Sequence, residues 1–91
     1  MRIISGRARG TKLYTLGGES TRPTLDRVKE SLFNIIQNKI EDANFLDLFS
    51  GSGAIGLEAL SRGAKKTIFC DSSKQAIEII NKNIKLNIFS Y

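Results

Sequence analysis

Cysteine and long apolar runs are scarce in this 91-residue sequence. The single cysteine, Cys70, cannot form an intrachain disulfide, which excludes the disulfide-stapled scaffolds of small secreted proteins. The N-terminus has no extended apolar run of the signal-peptide type, and no segment approaches the length of a membrane span. We therefore expect a cytoplasmic protein that does not associate with a membrane.

Acidic residues are absent from the first eighteen positions, although the whole chain has a formal charge of +5. This stretch contains four basic residues: Arg2, Arg7, Arg9 and Lys12. A cationic segment on a nearly neutral body favours a polyanion partner, bound through salt-sensitive phosphate contacts. A solvated surface hairpin without a partner explains the same charge distribution equally well.

Hydrophobic periodicity predicts an α/β order of secondary structure. The predicted elements are a hairpin over 2–15, a helix opening at Pro23 with Thr24 as its N-cap, strands at about 44–49 and 65–70, a helix over 54–62, and a final helix reaching about residue 86. The first helix carries an apolar stripe that we expect to cover the sheet: Leu25, Val28, Leu32, Ile35, Ile36 and Ile40. The last helix has a similar stripe, preceded by a capping-box spacing: Ala76, Ile77, Ile80, Ile84 and Ile88, with Ser72 and Gln75. The predicted core residues of other types are Phe33, Phe45, Phe49, Phe69 and Cys70.

Two strands are too few for a complete doubly wound sheet, which usually has five or more. We therefore predict the N-terminal part of a Rossmann-like α/β domain with parallel strands, preceded by a β-hairpin and a helix. The predicted division assigns the basic hairpin and its connection to 1–22. It assigns the helix and the first, incomplete βαβα portion of the cofactor-binding domain to 23–91.

A glycine-rich turn joins the first predicted strand to the helix that follows. Gly51, Gly53 and Gly56 have G-x-G-x-x-G spacing, in which glycine accepts positive φ and lets a ligand approach the backbone N–H groups of the helix start. Asp47 precedes the first glycine by four residues. Asp71 ends the second strand, where such folds place the acid that binds ribose hydroxyls.

The position of Asp47 discriminates between cofactor classes. A dinucleotide would place its pyrophosphate against the turn, where this carboxylate repels it. S-adenosylmethionine has no phosphate, and its sulfonium and ammonium groups suit a nearby acid. The pattern favours S-adenosylmethionine, while a dinucleotide-binding oxidoreductase and a turn without a ligand remain open. The predicted cofactor-binding residues are Asp47, Phe49, Ser50, Gly51, Ser52, Gly53, Asp71 and Ser72.

Three motifs in order resemble one known family, the bacterial small-subunit ribosomal RNA guanine-N2 methyltransferases (RsmD). They are R-I-I-S-G at 2–6, R-P-T-L-D-R-V-K-E-S-L-F-N at 22–34, and D-L-F-S-G-S-G-A-I-G-L-E-A-L-S-R-G at 47–63. The resemblance covers nearly the whole chain. It implies a class I methyltransferase fold, S-adenosylmethionine as donor, and methyl transfer to the exocyclic amine of a guanine in 16S ribosomal RNA.

The resemblance also implies RNA-binding and catalytic roles. The residues expected to bind 16S rRNA, or the assembling small ribosomal subunit, are Arg2, Arg7, Arg9, Lys12 and Arg22; no metal is expected. Members of the family bind and stack the target guanine with an N/D-P-P-Y/F motif. This sequence contains a single proline and hence no such motif. We therefore expect no catalytic residue in the chain and no activity from it alone, and a non-catalytic RNA-binding role remains a third possibility.

Overall fold

The computed structural model describes residues 2–15, 23–48 and 51–86. The elements are α1 (Pro23–Ile36), a 3-10 turn (Gln37–Lys39), β1 (Asn44–Asp47), α2 (Ala54–Ser61), β2 (Lys66–Phe69) and α3 (Lys74–Ile84). The predicted strand-helix-strand-helix order is confirmed. Both strands are shorter than predicted. Strand β1 ends at Asp47, and β2 lacks one residue at each predicted end.

The strands β1 and β2 pair in parallel, with Leu46 opposite Ile68. Because side chains alternate along a strand, Phe45 and Phe69 point to the other face, where they pack against buried helix residues. Leu46 and Ile68 are 56% and 49% exposed. Parallel sheets are normally covered on both faces, so the described residues leave one apolar face of this sheet open.

Helix α2 approaches β2 closely at Gly56. A Cβ atom at this position would collide with the Phe69 ring and lie 2.8 Å from Thr67 Cγ2. The third glycine of the G-x-G-x-x-G pattern is thus required by packing of the helix on the strand, which is its usual role in such folds.

The buried face of α1 agrees only in part with the predicted face: Ile36 and Ile40 of the predicted stripe pack with Phe33 in the core. Three residues of the predicted apolar stripe lie on the solvent side: Val28, Leu32 and Ile35. Ile35 is 81% exposed, so the prediction that these residues cover the sheet is wrong. The helix instead turns Phe33 toward Phe45, with ring centroids 6.1 Å apart, and buries Lys29 one turn earlier. Lys29 tolerates this position because oxygen atoms surround its ammonium group, as described below.

Two helix starts also differ from the sequence assignment. Helix α1 begins at Pro23, so Thr24 lies inside the helix and the prediction of Thr24 as N-cap is wrong; proline is favoured at the first helical position. The N-cap of α3 is Ser73 rather than Ser72, because Ser73 Oγ accepts the Ala76 N–H at 3.3 Å. In the predicted α3 stripe, two isoleucines are exposed, Ile77 and Ile84.

The remaining core predictions have mixed outcomes. Phe33 is fully buried, which confirms its assignment, and Phe45 and Phe69 are half-buried against the core. Cys70 is half-buried instead of buried. Several predicted residues lie outside the described residues or, in helix α1, outside the described side chains: Leu25, Phe49 and Ile88.

Residues 2–15, here called the basic arm, fold back on themselves and lie along α2. The predicted hairpin is reduced, within this segment, to one antiparallel bridge between Arg2 and Lys12. Ile3 and Leu13 of the arm are buried against Leu57 of α2 in one hydrophobic cluster. The arm is therefore part of the packed fold.

Candidate functional site

The glycine turn lies at the carboxyl end of β1 and opens helix α2. Gly51 and Gly53 have φ angles of +55° and +86°, in the left-handed region where glycine is favoured. Among the residues that the structure describes, and leaving aside its chain neighbours, none has an atom within 4 Å of a Cβ atom added at Gly51. Backbone conformation rather than crowding by these residues thus favours glycine at 51, and they leave space beside it.

The Asp47 carboxylate stands at the start of α2. Its Oδ2 atom accepts a hydrogen bond from the Gly56 N–H at 3.2 Å. Gly56 is the third residue of the helix, so the carboxylate satisfies one of the N–H groups that have no partner within the helix. The negative charge also faces the positive end of the helix dipole. The sequence predicted that these N–H groups face a ligand. In the structure one of them, the Gly56 N–H, bonds Asp47 instead.

The Asp71 carboxylate connects the end of β2 to the glycine turn. Its Oδ2 atom accepts the Gly51 N–H at 2.9 Å, and its Oδ1 atom accepts the Ser73 N–H at 2.8 Å. These two bonds, the one from Ser73 first, lower the pKa of Asp71 below its ordinary value of 3.8, against a smaller opposing effect of burial. Asp71 is therefore ionised at neutral pH.

The turn has a third anchor that sequence reasoning missed. Ser52 O accepts a hydrogen bond from Asn83 Nδ2 at 2.8 Å. Asn83 is fully buried in α3, three residues after Ile80 and seven after Ala76, which are also buried. This spacing is visible in the sequence and places Asn83 on the apolar face of the helix, where a polar side chain needs partners.

The predicted cofactor residues are partly brought together. Asp47, Gly51, Ser52, Gly53 and Asp71 meet at the turn through the contacts above, while Ser72 is exposed beside Asp71. Phe49 and Ser50 lie outside the described residues, so their assignments stay predictions. Two carboxylates beside an open backbone suit a ligand that presents a cation and hydroxyl groups, and they disfavour a pyrophosphate.

A buried carboxylate on α2 holds the basic arm. Glu58 Oε1 accepts the Ile4 N–H at 2.9 Å and lies 3.2 Å from Lys29 Nζ. Glu58 Oε2 accepts the Ser5 N–H at 3.0 Å and Arg62 Nε at 2.8 Å. The side chains of Glu58 and Lys29 are 0% and 1% exposed, and a buried charge of this kind requires partners on every side.

Ser61 provides a second attachment of the arm one turn further along α2. Its Oγ atom accepts the Ala8 N–H at 2.9 Å and donates to Ser5 O at 2.7 Å. Its carbonyl oxygen accepts the Arg7 N–H at 2.8 Å. A Cβ atom at Gly6 would collide with this carbonyl, so the glycine permits the close approach of the two backbones.

The basic side chains of the arm are presented to solvent. Those of Arg2, Arg7, Arg9 and Lys12 are all exposed, whereas Arg22 lies outside the described residues. Arg7 also lines an open concavity of about 430 Å³ together with Arg62 and Lys65. Two acids, Glu41 and Asp42, line the same concavity, so its charge is mixed.

In the part of the chain that the structure describes, no group of three or more Cys, His, Asp or Glu side chains is placed to hold a metal ion. The helices of that part are all too short or too polar to cross a membrane.

Comparisons with known proteins link this geometry to one family. A family model described as Conserved hypothetical protein 95 matches residues 1–90. The chain is 48% identical over 85 residues to ribosomal RNA small subunit methyltransferase D of Haemophilus influenzae, covering 93% of this chain and 44% of that protein. It is 45% identical over 84 residues to the protein of the same name from Escherichia coli, covering 92% and 42% respectively.

A solved structure extends this likeness to the fold. The structure of yhhF from Escherichia coli, a candidate methyltransferase, matches with a TM-score of 0.80 and 45% sequence identity. The match covers 92% of this chain and 46% of that one. The chain thus spans less than half the length of these relatives.

Proposed function

Because the chain belongs to the Conserved hypothetical protein 95 (RsmD) family and spans less than half the length of its relatives, we propose that it is the N-terminal, cofactor-binding half of a methyltransferase of small-subunit ribosomal RNA. One observation carries the proposal: two carboxylates flank the glycine turn, since Asp71 accepts the Gly51 N–H of the turn and Asp47 accepts the Gly56 N–H in the first turn of α2. The turn stands at the carboxyl edge of a parallel sheet, where open α/β folds bind their ligands.

We propose S-adenosylmethionine as the cofactor, which when bound supplies a methyl group on a cationic sulfur. Asp47 is assigned to the ammonium group and Asp71 to the ribose hydroxyls. Each oxygen of Asp71 accepts one backbone N–H, and its second lone pair is available to a hydroxyl donor. The backbone of Gly51 is assigned to close contact with the cofactor. Gly53 is assigned to the same contact, although it is buried and its α-carbon faces Ile80, where a Cβ atom would lie 3.3 Å from Cγ1. Further contacts are assigned to Phe49, Ser50, Ser52 and Ser72.

We propose that the basic arm binds 16S rRNA or the assembling small ribosomal subunit in the cytoplasm, with Arg22 assigned to the same surface. The exposed side chains of Arg2, Arg7, Arg9 and Lys12 support this role, because contacts to phosphate need accessible cations. The proposed substrate atom is the exocyclic N2 of a guanine. We assign the groups that hold this amine to residues that are not among the 91 of this sequence. The chain alone is therefore expected to be inactive.

Calorimetry with S-adenosylhomocysteine on the full-length polypeptide tests the cofactor assignment. Asp47→Ala and Asp71→Ala should each weaken binding about 10- to 100-fold, because each removes a charged hydrogen-bonding partner worth about 1.5–3 kcal/mol. Glu41→Ala, an exposed acid that precedes β1, is the matched control and should leave the affinity unchanged. Unchanged affinity in both aspartate variants would contradict the site, and tighter binding of NADH than of S-adenosylhomocysteine would contradict the cofactor.

RNA binding is tested separately by charge reversal in the arm. Arg7→Glu combined with Arg9→Glu should weaken binding of a 16S rRNA fragment and flatten its salt dependence, since fewer counterions are then released. Lys39→Glu combined with Lys74→Glu, at two exposed positions outside the arm, makes the same change in net charge and is the control. An unchanged salt slope in the arm variant would remove the RNA role of the arm without affecting the cofactor assignment.

A further inference from the structure

We propose that Asn83 is a positioning residue that couples the basic arm to the glycine turn, an inference that rests on the functions proposed for both. Asn83 is fully buried near the end of α3. A buried amide is costly unless its donors and its acceptor are all paired, so the partners of this side chain define what it does.

The partners of Asn83 come from two distant segments. Its Oδ1 atom accepts the Tyr14 N–H at 2.8 Å, and its Nδ2 atom donates to Tyr14 O at 3.1 Å. The second N–H of the same amide donates to Ser52 O at 2.8 Å. One carbonyl and two N–H groups are all that a side-chain amide offers, so each of them is used.

No isosteric residue reproduces this pattern. Aspartate keeps an acceptor for the Tyr14 N–H but has no donor for either carbonyl, and its charge would face two carbonyl oxygens. Leucine has neither kind of group. The amide therefore does more than fill the core, since it joins the main chain of the arm to the main chain of the turn through three bonds.

Helix α3 contacts both segments at further points. Asp71, three residues before the helix begins, accepts the Gly51 N–H, so two neighbouring residues of the turn are held by Asp71 and by Asn83. Lys82 Nζ lies 4.8 Å from the centroid of the Tyr14 ring, a distance typical of a cation–π contact. A ligand that orders the turn thus restrains Ser52, Asn83 and Tyr14 together, and RNA that orders the arm restrains the same atoms from the other side.

Linkage makes this coupling measurable and reciprocal. S-adenosylhomocysteine should tighten binding of a 16S rRNA fragment to the full-length polypeptide by about fivefold or more, a modest coupling for two linked sites. In Asn83→Asp the tightening should fall below about twofold. Asn81→Asp makes the same chemical change at an exposed position of the same helix and should keep the wild-type factor.

The readout separates coupling from stability. The coupling factor is the ratio of two RNA affinities of one variant, with and without S-adenosylhomocysteine, so a uniform loss of folded protein cancels from it. A merely structural asparagine would lower both affinities and leave their ratio unchanged. A wild-type ratio in Asn83→Asp would overturn the inference, as would a ratio near one in the wild-type protein.

Hydrogen exchange on the wild-type polypeptide tests the same coupling without a substitution. S-adenosylhomocysteine should slow exchange both in residues 51–56 and at the Tyr14 amide, whose acceptor is Asn83 Oδ1. Slowing at 51–56 with an unchanged Tyr14 amide would overturn the coupling while leaving the cofactor proposal intact. Failure of the wild-type protein to bind S-adenosylhomocysteine at all would instead reject the proposed function.

Discussion

Replacing Glu58 by glutamine should release the basic arm from α2. The carboxylate receives the Ile4 and Lys29 groups at one oxygen and the Ser5 and Arg62 groups at the other. Glutamine has nearly the same shape, but one of its two terminal atoms becomes an NH₂ group that faces two donors. Whichever way the amide turns, two contacts are lost and two donors face an NH₂ group in place of an oxygen.

The expected cost is about 3–5 kcal/mol, the range for removing one partner of a buried ion pair. Lys29 would keep its bond to Arg2 O at 2.6 Å, but its remaining acid, Asp26, is 4.0 Å away. The loss is large beside a domain stability of about 5–15 kcal/mol. If about 3 kcal/mol of this cost is lost from the attachment of the arm to α2, the fraction of molecules with a detached arm rises about 10²-fold.

Limited trypsin digestion measures this opening through cleavage after Arg7 and Arg9, with urea unfolding as the global measure. Glu78→Gln, the same change on the exposed side of α3, should alter stability by less than about 0.5 kcal/mol. A cleavage rate in Glu58→Gln within a few-fold of this control would refute the reasoning. Adding Lys29→Met should recover at least about 1 kcal/mol, since it removes the unpaired charge.

Three further outcomes follow from single contacts. Gly56→Ala should cost about 1–3 kcal/mol in urea unfolding, because the new methyl group meets the Phe69 ring; no loss would mean that the helix shifts freely. The pKa of Asp71 is lowered in the folded state, so its stabilising effect is present at neutral pH and is lost as pH falls below about 4. Thermal melts of Asp71→Asn should therefore show a smaller decline between pH 5 and about 3 than the wild type, and parallel declines would contradict the assignment. Phe33→Ala should cost about 3–5 kcal/mol and Ile35→Ala less than about 0.5 kcal/mol, whereas the reverse order would restore the predicted face of α1.

The order of elements and the position of the turn were predictable because both depend on neighbouring residues. Apolar runs of strand length, a G-x-G-x-x-G spacing and an acid after each strand are local signals. They placed Asp47 and Asp71 beside the turn, where the structure has them. The bond from Asp47 to the third residue of α2 was not predicted, since it depends on how the strand end faces the helix.

The buried face of α1 was only partly predictable from periodicity, because the predicted stripe contained Ile36 and Ile40, which are packed with Phe33, but also three exposed residues. Lys29 counts as a polar residue in any hydrophobic pattern, and its burial is possible only because Glu58 lies opposite, 29 positions further along the chain. Hydrophobic periodicity also predicts that Val28, Leu32 and Ile35 face the core. In the structure they are exposed, and the helix packs through Phe33. The pairing of Lys29 with Glu58 is the part of this face that a local count cannot contain, because the two residues are distant in the sequence.

The attachment of the basic arm has a consequence for how its sequence can vary. Glu58, Ser61 and Asn83 bond N–H and C=O groups of the arm, and every residue except proline offers both. The outward side chains can therefore be exchanged during evolution or by design while these anchors persist. The charge that this segment presents to solvent can therefore change without any change in the helices that hold it.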